Sequence, residues 1–360
     1  MNAIDVRAVP TAVAERSRQR SGPRIAGLTV SDSAETLTQR QVLDRLGLTG
    51  DEFAERIFAH SRIERRHLNL SEDLLARTSQ GRAQEVEDEL LGHSVRAVAA
   101  LGGDLGRIGS VLSASLYSLG LPTLAHRLAE HFELDPTADK YHVTGVGCAS
   151  AVPLMRLAAG ALHLHHGRDS LIVAAESMSS IMMPSTGADP RAKTVGSAIF
   201  GDGCAAALLS DDPSAGGPMI LASQVHQIGG TLGAVALSFA PEDSYLHLAR
   251  ELPELAGAGL PGVVAGFLSA NELEHADIDH WIVHPGGRRI IENIQRALEL
   301  SDAQIELAWD TLASHGNVGT PSIFYVLHDT IARRDPQPGE RGLAVTIGPG
   351  VTVGLMLLQW

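Results

Sequence analysis

Short β-like runs alternate with longer helical patterns along the chain. RIAGLTV, SLIVAAES and GCAAALLSDD are apolar runs of small and β-branched residues bounded by turn formers, and they predict three strands in the first part. DIDHWIVHP and GLAVTIGPGVTVGLMLLQW predict strands in the second, the latter split at Gly348, Pro349 and Gly350 into two runs joined by a turn. Apolar spacing and end signals predict helices in LTQRQVLDRLG, SEDLLARTSQGRAQEVEDELLGHSVRAVAALG, SAVPLMRLAAGALHLHHG, GRRIIENIQRALEL and PSIFYVLHDTIARR. Strands interleaved with helices imply an α/β layered fold rather than a sandwich or a bundle. The stretch SDDPSAGGP, residues 210–218, interrupts the pattern with turn formers and charges. It divides a first half, 23–212, from a second, 213–360. Residues 1–22 mix Arg, Ser and Pro without periodicity and are expected to form a flexible leader.

Composition narrows the partners. A net charge of −14, from 28 Lys+Arg against 42 Asp+Glu, repels a phosphate backbone, so nucleic acid is not expected. Two cysteines cannot make a disulfide framework, which fits a reducing cytoplasm. No run approaches the roughly 18 to 20 apolar residues of a membrane helix, so no membrane span is expected.

The candidate chemistry begins at YHVTGVGCASAVP. If KYHVTGVGC is a strand and SAVPLMRLAAGAL the helix after it, Cys148 sits at a helix N-terminus, where unpaired N–H groups and the helix dipole favour the thiolate. The alternative is a small buried hydrophobe, as expected for Cys204 in GDGCAAALLSDD. His284 ends DHWIVHP immediately before a glycine turn, and Asn317 lies in the Gly-rich loop of SHGNVGTPSIFYVL. Each alone reads equally as a structural residue. Together, at strand-to-helix turns, they form a Cys/His/Asn set able to perform thiolate acyl chemistry. His163, His165 and His166 fan around a helix end, so no metal site is expected there.

GVGCASA, AIFGDGCAAALL, WIVHPGGRRIIENI, HGNVGTPSIFYVL and GPGVTVGLMLLQW, in this order, resemble the chalcone synthase family, the type III polyketide synthases of the thiolase fold. The resemblance runs from about Ser61 to the C-terminus, and separations of 136 residues from Cys148 to His284 and 33 from His284 to Asn317 suit it. It implies a layered α-β-α-β-α architecture built from two related halves, and a homodimer. It implies an acyltransferase in which Cys148 takes an acyl group from a CoA thioester. His284 and Asn317 would hold the thioester carbonyl of malonyl-CoA, promote decarboxylation and stabilise the enolate that attacks the acyl group, with His284 also pairing with the thiolate. No metal or redox cofactor is implied; the CoA thioesters are substrates. Phe200 matches an aromatic gate between CoA tunnel and cavity, while Gly348, Pro349 and Gly350 match a loop in the cavity wall. Arg62, Arg65 and Arg66, in AHSRIERRHLNL, match a basic cluster that meets the CoA phosphates.

The chain departs from the family pattern in several places. Ala-Ser-Ala-Val-Pro follows Cys148 where glycines are usual, so Ala151 and Val152 add crowding. Leu246 stands in place of a second gating aromatic, which would widen the passage. Met178, Ile181, Met182 and Met183 make the cavity wall more apolar and adaptable. Gly319 stands where many members carry Ser. These departures point away from the family's standard substrates. They leave as the alternative a related thiolase-fold acyltransferase, or a ketoacyl synthase III-like enzyme, that acylates Cys148 but uses another nucleophile or draws on an acyl carrier protein. A papain-like protease shares the order Cys, His, Asn but not the surroundings of Cys148. A degenerate scaffold that binds CoA esters, or only a partner, is the non-enzymatic alternative.

Overall fold

The computed structural model describes residues 22–32, 35–78, 80–118, 120–182, 189–238 and 245–360. The leader, apart from Gly22, and Met183 lie outside the described residues, as does the side chain of Ile181. The first half begins with β1 (Arg24–Ser31), then the small hairpin of β2 (Thr36–Thr38) and β3 (Arg65–His67), which encloses α1 (Gln39–Arg45) and α2 (Glu52–Ala59). It continues through α3 (Glu72–Leu75), α4 (Ala83–Leu101), β4 (Ile108–Ala114), α5 (Leu124–His131), β5 (Asp139–Val143) and α6 (Ala151–Leu162). β6 (Asp169–Glu176), α7 (Pro190–Ile199) and β7 (Gly203–Ser210) complete it. The second half contains β8 (Met219–Gln227), the pair β9 (Val235–Ser238) and β10 (Tyr245–Leu248), α8 (Leu252–Ala270) and β11 (His280–Val283). α9 (Arg288–Ala297), α10 (Asp302–His315), α11 (Ser322–Arg334), β12 (Arg341–Gly348) and β13 (Thr352–Gln359) follow.

Nine strands hydrogen-bond in the order β11-β12-β13-β8-β1-β7-β6-β4-β5. The two halves of this array repeat one pattern. Outward from the centre, β1 pairs antiparallel with β7, β7 antiparallel with β6, and β6 parallel with β4; β8, β13, β12 and β11 do the same. A single residue pair, Arg24 with Met219, joins them. Helices α6 and α11 touch strands of both halves and form the central layer, around a core that includes Leu154, Met155, Phe324, Leu327, Met356 and Leu358. α4 and α5 cover the outer face of one half, and α8 to α10 that of the other. The result is the five-layer α-β-α-β-α arrangement, with two repeated halves.

The strands and helices anticipated from RIAGLTV, SLIVAAES, GCAAALLSDD and the C-terminal GPG turn are present. Others escape the sequence pattern. β4 is buried throughout, yet its IGSVLSA carries Gly and two serines that hide the β signal; Ser110 bonds Ser170 at 2.8 Å and Ser113 bonds His142 at 2.7 Å. The helix anticipated over residues 71–102 is two helices, because the chain turns between Ala76 and Arg82. The helix anticipated from Leu37 begins at Gln39, since Thr38 caps it reciprocally with Gln41. α8 is long and apolar enough to cross a membrane by length and composition, contrary to expectation. It packs instead against α9 and β13 through Leu260, Val264, Phe267 and Leu268.

Candidate active site

Cys148 occupies the single 3-10 turn Gly147–Ala149 between β5 and α6. Its Sγ stands 3.8 Å from both the Oδ1 and the Nδ2 of Asn317. Asn317 lies in the loop between α10 and α11, where its N–H donates to the Ile199 carbonyl at 2.9 Å and its backbone bridges Phe200. The surroundings decide which way its amide points. Oδ1 accepts from the Gly319 N–H at 2.9 Å and from the Ser322 hydroxyl at 3.1 Å. The NH2 group is therefore turned to the Gly286 carbonyl, 3.3 Å away, and to the Cys148 sulfur.

His284 follows β11, and its N–H donates to the Val345 carbonyl at 2.9 Å, continuing the pairing with β12. The chain then folds back, Gly286 N–H donating to the His284 carbonyl at 2.9 Å. A Cβ on Gly286 would stand 3.2 Å from Nε2 of the ring, so glycine lets the imidazole lie against the turn whose carbonyl Asn317 holds. The C-terminal GPG turn meets the same place. A Cβ on Gly348 would fall 2.5 Å from the Ala149 nitrogen, so only glycine permits this approach of β12 to the cysteine turn. Asn317 thus meets Cys148 after β5 directly and the turn of His284 after β11 through the Gly286 carbonyl.

The resting charges differ from the sequence expectation. Burial, then the nearby Glu176, push the Cys148 thiol up to about 12, against a smaller opposite effect of the Asn317 hydrogen bond. Burial pulls the His284 imidazole down to about 3. Burial thus favours the neutral form of each group, against the lowered thiol and thiolate–imidazolium pair expected from the sequence. Desolvation of the partly exposed Cys148 outweighs the turn preceding α6. Iodoacetamide labelling of Cys148 is accordingly expected to be slow at neutral pH and to rise about tenfold per pH unit up to about pH 10. A rate already at its plateau by pH 7 would show that the thiol is depressed after all.

Glu176 is the residue that sequence reasoning missed. At the end of β6 and buried, it accepts from the Leu116 N–H at 2.9 Å and the Ser115 hydroxyl at 3.2 Å. Thr320 Oγ1 lies 2.9 Å from its other oxygen and 3.0 Å from the Gly147 carbonyl. Burial pushes its carboxyl up to about 7. The network ties the cysteine turn to the asparagine loop. A carboxylate closing the apolar run SLIVAAE was the available signal.

Phe200, Leu246, Met178 and Met182 close around a gap of only about 10 Å³, which also touches Lys193 and Ser197. All four are buried and pack in one cluster. Gly319 explains why Met178 fits. A Cβ there would fall 2.6 Å from the methionine Cε and 2.9 Å from the Glu176 Cγ, at a φ of +69°. The methionine and the missing serine are thus one coupled departure. Val152 is accommodated similarly, since it lies where a side chain on Gly354 would be, 3.0 Å from its Cβ position.

The three arginines separate. Arg66 is a correction: it is fully buried, and it donates to the carbonyls of Ser197 and Phe200, both at 2.6 Å, and to Gln39. It braces the segment carrying Phe200 and does not face a CoA phosphate. RIERRH reads as a solvated cluster, but Arg65–His67 is a strand, and period two turns the middle residue inward. Arg62 and Arg65 are exposed, and the Arg62 guanidinium lies 4.3 Å from the Trp309 ring centroid. Of the helix-end histidines, His165 pairs with Asp139 at 2.9 Å, while His163 and His166 are exposed.

A layered fold of two repeated halves, with a Cys/His/Asn set between them, defines a thiolase-like condensing enzyme. The model of the FAE1/type III polyketide synthase-like proteins matches residues 33–229, and that of the 3-oxoacyl-[acyl-carrier-protein] synthase III C-terminal domain matches residues 268–360. The chain belongs to the FAE1/type III polyketide synthase-like family, whose members are CoA-dependent condensing acyltransferases. It is 29% identical over 359 residues to a 3,5-dihydroxyphenylacetyl-CoA synthase of Streptomyces toyocaensis, covering 94% of this chain and 90% of that one. It is 29% identical over 271 residues to a 1,3,6,8-tetrahydroxynaphthalene synthase of Streptomyces peucetius subsp. caesius, covering 73% and 70%. The crystal structure of PKS-I from the brown alga Ectocarpus siliculosus superposes with a TM-score of 0.86 at 26% identity, over 96% of this chain and 100% of that one.

Proposed function

We propose that Cys148 receives an acyl group from an acyl-CoA starter and that His284 and Asn317 drive its extension with malonyl-CoA. The observation that carries this reading is the fixed Asn317 amide, whose NH2 is directed at the Cys148 sulfur beside the turn of His284. Burial favours the neutral thiol and the neutral imidazole in the free site, and His284 takes the thiol proton as the sulfur attacks the starter thioester and passes it to the departing CoA. Malonyl-CoA then binds with its thioester oxygen between the Asn317 and His284 donors. Cleavage of its carboxyl C–C bond releases CO₂ and leaves the electron pair as an enolate, whose charge these donors stabilise. The enolate carbon attacks the acyl carbonyl on Cys148, and the sulfur leaves as thiolate.

This chemistry uses no metal or redox cofactor. Arg62 and Arg65 are the exposed cations available to CoA phosphates. The two free thiols suit a cytoplasmic enzyme. The edge strand β5, with Tyr141 exposed, suits a homodimer. Incubation with radiolabelled malonyl-CoA and a panel of acyl-CoA starters should release CO₂ and yield extended products. Acylation of Cys148 without CO₂ release would favour another nucleophile, or a donor held on an acyl carrier protein.

A further inference from the structure

Asp32, His67 and His315 come together from the end of β1, from β3 and from the end of α10, apart from the catalytic set. His315 Nδ1 lies 3.1 Å from one oxygen of Asp32, and His67 Nε2 lies 3.5 Å from the other. The two rings stack with centroids 5.4 Å apart, and one ligand atom from each of the three residues falls within 4.8 Å of the others. We propose that these residues form a binding site for one divalent transition-metal ion of the zinc class.

The spacing fits such an ion. Nitrogen and oxygen ligands about 2.0 to 2.1 Å from zinc stand about 3.3 Å from one another in a tetrahedron; each histidine already lies 3.1 or 3.5 Å from its own Asp32 oxygen, and the set spans at most 4.8 Å, so a modest inward turn of the side chains closes it. Imidazole donors favour zinc, cobalt or iron over calcium and magnesium. The outer contacts orient the ligands. Thr36 Oγ1 lies 3.2 Å from His67 Nδ1, which keeps Nε2 turned to Asp32. The Tyr325 hydroxyl donates to Asp32 Oδ1 at 2.8 Å and lies 3.0 Å from the Ser31 carbonyl. All three ligand side chains are partly exposed. An open cavity of about 660 Å³ runs alongside; Arg96, in its wall, lies 3.3 Å from the Asp32 carbonyl, and Glu35 and Asn69 line it too.

Metal entry displaces the hydrogen bond between His315 Nδ1 and Asp32, and the ring proton passes to Nε2 as the neutral imidazole binds through Nδ1. The ion fastens β1 and β3 to the segment that, two residues after His315, carries Asn317. It is a structural ion and takes no part in the condensation, so this site stands or falls independently of the proposed reaction.

The test is titration of metal-stripped, full-length protein with Co²⁺, followed by visible d–d absorption and then displacement by Zn²⁺. One equivalent is expected to bind, with His67→Gln and His315→Gln each weakening affinity at least about 100-fold. Zn²⁺ should also protect His67 and His315 of the unaltered protein from diethyl pyrocarbonate, mapped by mass spectrometry; this readout survives a variant that fails to fold. Absence of a Co²⁺ spectrum, unchanged affinity in both variants, or protection of His163 and His166 instead would overturn the assignment.

Discussion

Replacing Cys148 with Ala should abolish polyketide formation, by on the order of 10³-fold or more, because no other group in the site can carry the acyl chain. Cys204 cannot substitute. It is fully buried beneath α4, 3.8 Å from Ser94, and burial pushes its thiol up to about 12. The same variant should still decarboxylate malonyl-CoA, because the donors of His284 and Asn317 remain where they are. Side-by-side measurement of CO₂ release and product formation separates the two roles. Loss of both to the same degree would mean that the cysteine turn positions the whole site. Ala is also the informative choice for stability, since it leaves the Thr320 contact to the Gly147 carbonyl intact.

Asn317→Asp should have the opposite signature. The carboxylate can keep the bonds from the Gly319 N–H and the Ser322 hydroxyl but loses the NH2 donor aimed at the sulfur. Decarboxylation should fall on the order of 10²- to 10³-fold, as expected when one donor to a developing oxyanion is removed. A new negative charge beside Cys148 raises the thiol further, so alkylation at a given pH should slow as well. Retention of wild-type decarboxylation by this variant would show that Asn317 only braces the loop.

Cys148 and His284 were legible because each stands at a glycine-flanked turn after a strand; Asn317, expected at such a turn too, lies between two helices and was legible only from its Gly-rich loop. The layered architecture was legible from runs such as SLIVAAES and the split C-terminal pair. What escaped depends on tertiary placement. Arg66 sits among arginines that look solvated, and only the pairing of β3 with β2 shows that it points inward. The electrostatics of Cys148 are only half legible, because the start of a helix is visible in sequence while the desolvation that pushes the thiol up is not. Gly319 and Met178 were noticed separately, and their steric dependence appears only when the missing Cβ is placed against the thioether.

The central claim is that Cys148 carries the growing acyl chain. Intact-protein mass spectrometry of enzyme mixed with an accepted acyl-CoA starter, followed by peptide mapping, tests it directly. One acyl group per chain, on the peptide containing Cys148 and discharged when malonyl-CoA is added, is the expected result. An acyl group on any other residue, or no adduct while product still accumulates, would contradict it.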